Sequence, residues 1–114
     1  MMDKEKMRQR FLRDPLLRRL GGLAATFGRI SSSARRSTDP AVVSDLLDEA
    51  RHLIEWTAGE TEPDVAAELV RMQTLLTLWQ KAWGTACQDS RQRLLLSLQA
   101  KNWSDQLVDF SGLG

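Results

Sequence analysis

Tyrosine is missing from this 114-residue sequence, cysteine and histidine occur once each (Cys87 and His52), and there are only three prolines. Each shortage excludes something. A lone cysteine cannot form an internal disulfide, which fits a reducing compartment and leads us to expect a cytoplasmic protein. A lone histidine rules out a zinc site built on two or three His ligands. It also rules out the paired Glu-x-x-His motifs of di-metal carboxylate bundles. With one His and no Tyr, little acid–base machinery is left for an enzyme. No apolar run reaches the ~20 residues needed to cross a bilayer. The longest candidate, Leu16 to Ile30, is broken by Arg18, Arg19 and Arg29. Strand signals are also lacking: no stretch alternates apolar and polar residues over six positions.

What is present is helical punctuation and helical period. All three prolines follow an acid, in Asp14-Pro15, Asp39-Pro40 and Glu62-Pro63. Each pair reads as an N-cap followed by proline at the first helical position, so no proline interrupts a helix interior. The expected helices are 15–36, 40–58, 63–88 and 90–110, preceded by a basic segment, 1–14, that is itself partly helical through Met7, Phe11 and Leu12. In the first, Leu16, Leu17, Leu20, Leu23, Ala24, Phe27 and Ile30 form the apolar stripe. Val43, Leu46, Leu47, Ala50, Leu53, Ile54 and Thr57 form the second. Val65, Leu69, Met72, Leu76, Trp79, Trp83 and Ala86 then recur at alternating steps of four and three, a heptad-like seam. A new stripe, Leu96, Ala100, Trp103, Leu107 and Phe110, is widened by Leu94, Leu95 and Leu98. The phase break near Ser90 favours a turn there over one long helix, with Asp89 and Ser90 as caps. Gly59 and Gly112 are placed as left-handed helix terminators. The fold class is therefore all-α, a compact bundle of about four helices in one domain with a basic N-terminal extension. At 42% hydrophobic and 27% charged residues, the composition is that of an ordinary folded chain.

Charge is the most informative feature. Residues 1–36 hold ten Lys/Arg against three acids, a net of +7, whereas residues 37–70 hold nine acids against Arg51, a net of −8. Chain-wide the balance is only +1. Such blocks can pair with each other, with a second copy or with a charged partner. The arginines of the first block, Arg8, Arg10, Arg13, Arg18, Arg19, Arg29, Arg35 and Arg36, are the candidate partner-binding residues, because guanidinium suits bidentate contact with carboxylate or phosphate. A solvated face with no partner is the plain alternative. Residues 7–37 have the Arg/Ser-rich, acid-poor cast of a transit peptide, but Asp3 and Glu5 precede them and weigh against that reading.

The remaining chemistry is thin. Glu49 and His52 have metal-ligand spacing on one helix face, yet a solvated acidic face explains them without a metal. Cys87 reads as a small buried hydrophobe, and Gly21-Gly22 lacks the Lys-Ser/Thr of a phosphate loop. The small-residue spacings Gly21…Ala25 and Ala24…Gly28 permit close helix crossing, within the monomer or across a dimer. Four tryptophans (Trp56, Trp79, Trp83, Trp103) supply core area first and interface anchors second. No cofactor and no catalytic residue is expected. The function expected is a non-catalytic helical interaction or assembly module with a protein partner or a second copy. The alternative is a nucleic-acid-binding accessory protein using residues 4–36. Peripheral contact with an anionic membrane ranks below both.

Overall fold

The computed structural model describes residues 3–36 and 38–112. The fold is all-α, built from α1 (Lys4–Arg13), α2 (Leu16–Ala34), α3 (Pro40–Glu55), α4 (Pro63–Ala86) and α5 (Ser90–Ser111), with one 3₁₀ turn, Ala58–Glu60, between α3 and α4. Five helices stand where about four were expected, because the basic segment is itself a helix. Asp3 starts it by accepting from the backbone N–H groups of Glu5 and Lys6, an N-cap that satisfies two of the donors a helix start leaves free. The stretch from Val65 to Phe110 is two helices: Asp89 caps α5 by accepting from the Arg91 N–H at 2.9 Å.

The acid–proline pairs mark the boundaries, although not as side-chain caps. Asp14 closes α1 in extended conformation and Pro15 occupies the N-cap position of α2. Asp39 and Glu62 precede Pro40 and Pro63 without side-chain capping bonds. The residue before proline is driven to extended backbone, which at Asp14 ends α1, whereas α2 and α3 end earlier, at Ala34 and Glu55. Gly59 is not the left-handed terminator its position suggests: it lies in the 3₁₀ turn, and Gly112 is the one residue with positive φ (77°) among the described residues.

Helices α2 to α5 run up and down around one core. Its centre is Leu23, Phe27, Ile30, Leu47, Ile54, Leu69, Met72, Leu76, Leu96 and Leu107, all essentially without exposure. α2 and α5 share the largest surface, followed by α3 with α4 and α2 with α3, whereas α4 and α5 share little. Small residues explain the first pairing. Ser104 Oγ donates to the Ala24 carbonyl at 2.8 Å, and Ser97 Oγ donates to the Ser31 carbonyl at 2.8 Å. A methyl group at Gly28 would sit 3.9 Å from Ser104 Oγ. The Ala24…Gly28 spacing thus serves close packing within the chain. Phe27 and Trp103 fill the space beyond, their ring centroids 5.3 Å apart.

Three side-chain expectations are overturned. Leu17, at the start of the α2 stripe, is 57% exposed. Trp83 is buried and donates to the Pro40 carbonyl at 3.1 Å. Trp79, one turn earlier, is only half-buried, because it faces the thin α4–α5 seam, where its Nε1 donates to Gln99 Oε1 at 2.6 Å. Leu94, Leu95 and Leu98 do not widen the buried stripe of α5; they are 50%, 53% and 53% exposed. Helical geometry requires this of Leu94 and Leu98, which lie about 160–200° around the axis from Leu96.

Candidate functional site

The eight candidate arginines do not form one surface. Arg18 and Arg36 are separated by the length of α2, about 27 Å at 1.5 Å per residue. Arg19 is buried. Its Nη1 and Nη2 donate to Glu60 Oε2 and Oε1 at 2.7 and 3.0 Å, and its Nε donates to the Asp14 carbonyl at 3.1 Å. The hydrogen bonds from Arg19 hold the Glu60 carboxyl below the usual carboxylate range, and the same bonds raise Arg19 against the opposing effect of burial. Arg29 donates to Thr26 Oγ1 at 2.9 Å and lies 3.6 Å from Glu49. Arg8 and Arg18 meet acids only one turn away in sequence, Glu5 at 3.8 Å and Asp14 at 3.9 Å. Arg10, Arg13 and Arg36 have no ion pair among the described residues.

The opposed charge blocks therefore meet, in part, inside one chain. α1 lies along α3. Lys4 Nζ is 3.0 Å from Asp48 and 2.9 Å from His52 Nε2. Partial burial would push the Asp48 carboxyl up. Hydrogen bonds from Lys4 and Gln80, with His52 and Lys4 nearby, outweigh it and hold the group below its ordinary value. His52 also stacks on Trp56 at 5.7 Å and has Glu55 3.4 Å from its Nδ1. Phe11 of α1 meets Trp56 at 6.2 Å, with the Arg19 guanidinium 5.9 Å from the Phe11 ring centre.

The two residues with metal-ligand spacing are not brought together. Glu49 turns to Arg29 while His52 turns to Lys4 and Asp48. Among the described residues, no group of three or more His, Cys, Asp or Glu is arranged to hold a metal. Cys87, half-buried, ends α4 beside the start of α3, and His52 lies toward the opposite end of α3.

A second surface comes from residues that the hydrophobic pattern places in the core. On the N-terminal half of α5, Leu94, Leu95 and Leu98 are exposed next to Arg91 and Arg93. Arg35 reaches across from α2, held by a 2.8 Å bond from its Nε to Ser97 Oγ. Arg35, Ser90, Arg93 and Leu94 line one shallow hollow. Arg93 is anchored at its base, donating to the Cys87 carbonyl at 2.9 Å. The signal for this face is in the sequence: Leu94 and Leu98 are out of phase with Leu96, Ala100 and Trp103. No protein-family model, no curated protein and no solved structure matches the chain. No helix among the described residues is long and apolar enough to cross a membrane.

Proposed function

We propose that this protein is a non-catalytic helical interaction or assembly module working inside the cell, and that its docking face is the N-terminal half of α5. One observation carries the reading: three neighbouring leucines stand about half exposed on one helix, with Arg35, Arg91 and Arg93 beside them. Scattered exposed leucines are ordinary, but a contiguous apolar patch with a polar rim marks an interaction surface. Arginine is also enriched at interfaces. The partner that fits is an amphipathic protein helix with apolar residues on one side and carboxylates at its edges. The test is photo-crosslinking from position 95 in the cell of origin. Capture of one such partner, lost in Leu94→Asp/Leu98→Asp with the circular dichroism unchanged, supports the reading. Capture indifferent to those changes refutes it.

A second reading uses the free cations of α1 and the start of α2. Arg10 and Arg13 are exposed and unpaired among the described residues, and Arg8 and Arg18 make only long pairs within their own turn. This favours phosphate contact by a nucleic acid. It requires binding that weakens steeply with salt, with a logarithmic slope of roughly 0.7–0.9 per phosphate neutralised, and that is lost in Arg8→Gln/Arg10→Gln/Arg13→Gln.

A further inference from the structure

Helix α1 differs from the other helices. It contains no buried residue, whereas each of the other α-helices buries at least five. It is ten residues long, and isolated helices shorter than ~12–15 residues are marginal in water. Its helical form therefore depends on the α2–α3 groove it lies over. Recognition has a definite pattern: Lys4 on Asp48 and His52, then Phe11 on Trp56 and close to Gly22. Around this pattern the fit is open. Hollows flank α1 on the groove side, and Met7 lines each of them: one with Lys6, Arg10 and Glu49, one with Val42, Asp45 and Leu46, one with Phe11, Gly22, Thr26 and Leu53.

The tether explains the loose fit. Two extended residues, Asp14 (φ −79°, ψ 146°) and Pro15 (φ −58°, ψ 154°), join α1 to α2. A helix bound by so short an elbow cannot slide or roll far enough to close the hollows. A helix arriving from elsewhere has no such limit. Charge narrows its identity: α1 carries Lys4, Lys6, Arg8, Arg10 and Arg13 against Glu5, and the groove presents Asp45, Asp48 and Glu49.

The geometry points to arm exchange: the α2–α3 groove is a helix-docking site whose partner in trans is α1 of a second copy. This goes beyond the α5 face, which lies on a different helix, and does not depend on it. Exchange reproduces every contact that α1 makes in its own chain, which makes such swapping a low-cost route to a dimer. The tethered arm competes at an effective concentration in the millimolar range. The monomer therefore holds at low concentration, and dimers form as concentration rises or as the elbow is straightened.

The test is the solution mass of the full chain from micromolar to millimolar concentration. Asp14→Ala/Pro15→Ala removes the proline that keeps α1 and α2 from joining into one helix and so turns α1 away from its own groove. This variant is expected to dimerise at a concentration at least about tenfold below wild type, the millimolar tether competition having been removed. Adding Phe11→Asp restores the monomer, and adding Leu98→Asp changes nothing. In the unaltered elbow, wild type shows a concentration-dependent mass that Phe11→Asp lacks, a readout that stands if the elbow variant fails to fold. Arm exchange is overturned by an elbow variant that stays monomeric throughout, by dimers that survive Phe11→Asp, or by dimers lost on Leu98→Asp.

Discussion

Arg19 and Glu60 form the most unequal ion pair among the described residues: their Nη1 and Oε2 atoms are 2.7 Å apart, but the side chains are 6% and 55% exposed. The carboxylate stays in water and the guanidinium is held beneath the elbow and Phe11. Such an arginine depends on its partner, because a buried cation left unpaired is strongly unfavourable. Glu60→Ala, which leaves that cation buried and unpaired, should lower the melting temperature clearly, and Arg19→Ala should do so too, because it takes the donor from the Asp14 carbonyl and the packing from beneath Phe11. Arg18→Ala, one residue earlier, 75% exposed and 3.9 Å from its acid, should stay within the ~0.5 kcal/mol of ordinary surface changes. Thermal denaturation of the three variants checks this.

The same contacts predict an acid dependence. Glu60 and Asp48 are both held below their ordinary values when folded. Their stabilisation is fully present above the ordinary carboxylate range, about pH 4, and is lost as pH falls through the lowered folded values. Melting temperature against pH from 2 to 6 should fall on the acid side. The fall should be shallower in Glu60→Gln and in Asp48→Asn, and an acid limb identical to wild type in both would remove these residues from the account.

The two tryptophans of α4 should separate. Trp83 is 3% exposed and hydrogen-bonded to the Pro40 carbonyl, so Trp83→Ala should cost about 3–5 kcal/mol, as buried aromatic truncations do. Trp79 is half-buried and shares its indole N–H with Gln99, and Trp79→Ala should cost visibly less. Urea denaturation of both variants decides the order.

Gly84 lies inside α4, exposed, with no atom within 4 Å of where a Cβ would stand. Glycine in a helix interior is unfavourable by roughly 0.5–1 kcal/mol relative to alanine. Gly84→Ala should stabilise by about that amount, read as a raised urea midpoint with unchanged slope. A destabilised variant would mean that this face of α4 is not open.

Fold class, four of the helices and most of the core were legible in the sequence, because they rest on local signals: extended backbone before proline, the steps from Leu69 to Trp83, the cap at Asp89. What escaped was long-range. Helical period says which residues share a face, not whether a neighbour covers it. Trp79 was misjudged because α4 and α5 share so little surface, whereas Leu94 and Leu98 were misjudged although their phase against Leu96 already puts them on the far face. The charge blocks were legible as blocks, but sequence gave no means of knowing that Lys4, Arg19 and Arg29 would meet acids of their own chain. Nor did it mark Arg19 as buried, since the side chain that covers it, Phe11, belongs to a helix expected only in part.

The α2–α5 seam has a consequence in time. Its bonds join residues 62 to 80 positions apart, as in Arg35–Ser97 and Ala24–Ser104, whereas the Arg51–Gln73 and Pro40–Trp83 bonds of the α3–α4 hairpin span 22 and 43. Each doubling of the closed loop adds about 0.6 kcal/mol of entropy, so the hairpin closes more cheaply and is expected to form first. The largest interface is then the last to assemble. Ser97→Ala and Ser104→Ala should accelerate unfolding while leaving the refolding rate nearly unchanged, the kinetic mark of contacts absent from the transition state. The seam would then set how long the native molecule lasts, and the hairpin how quickly it appears.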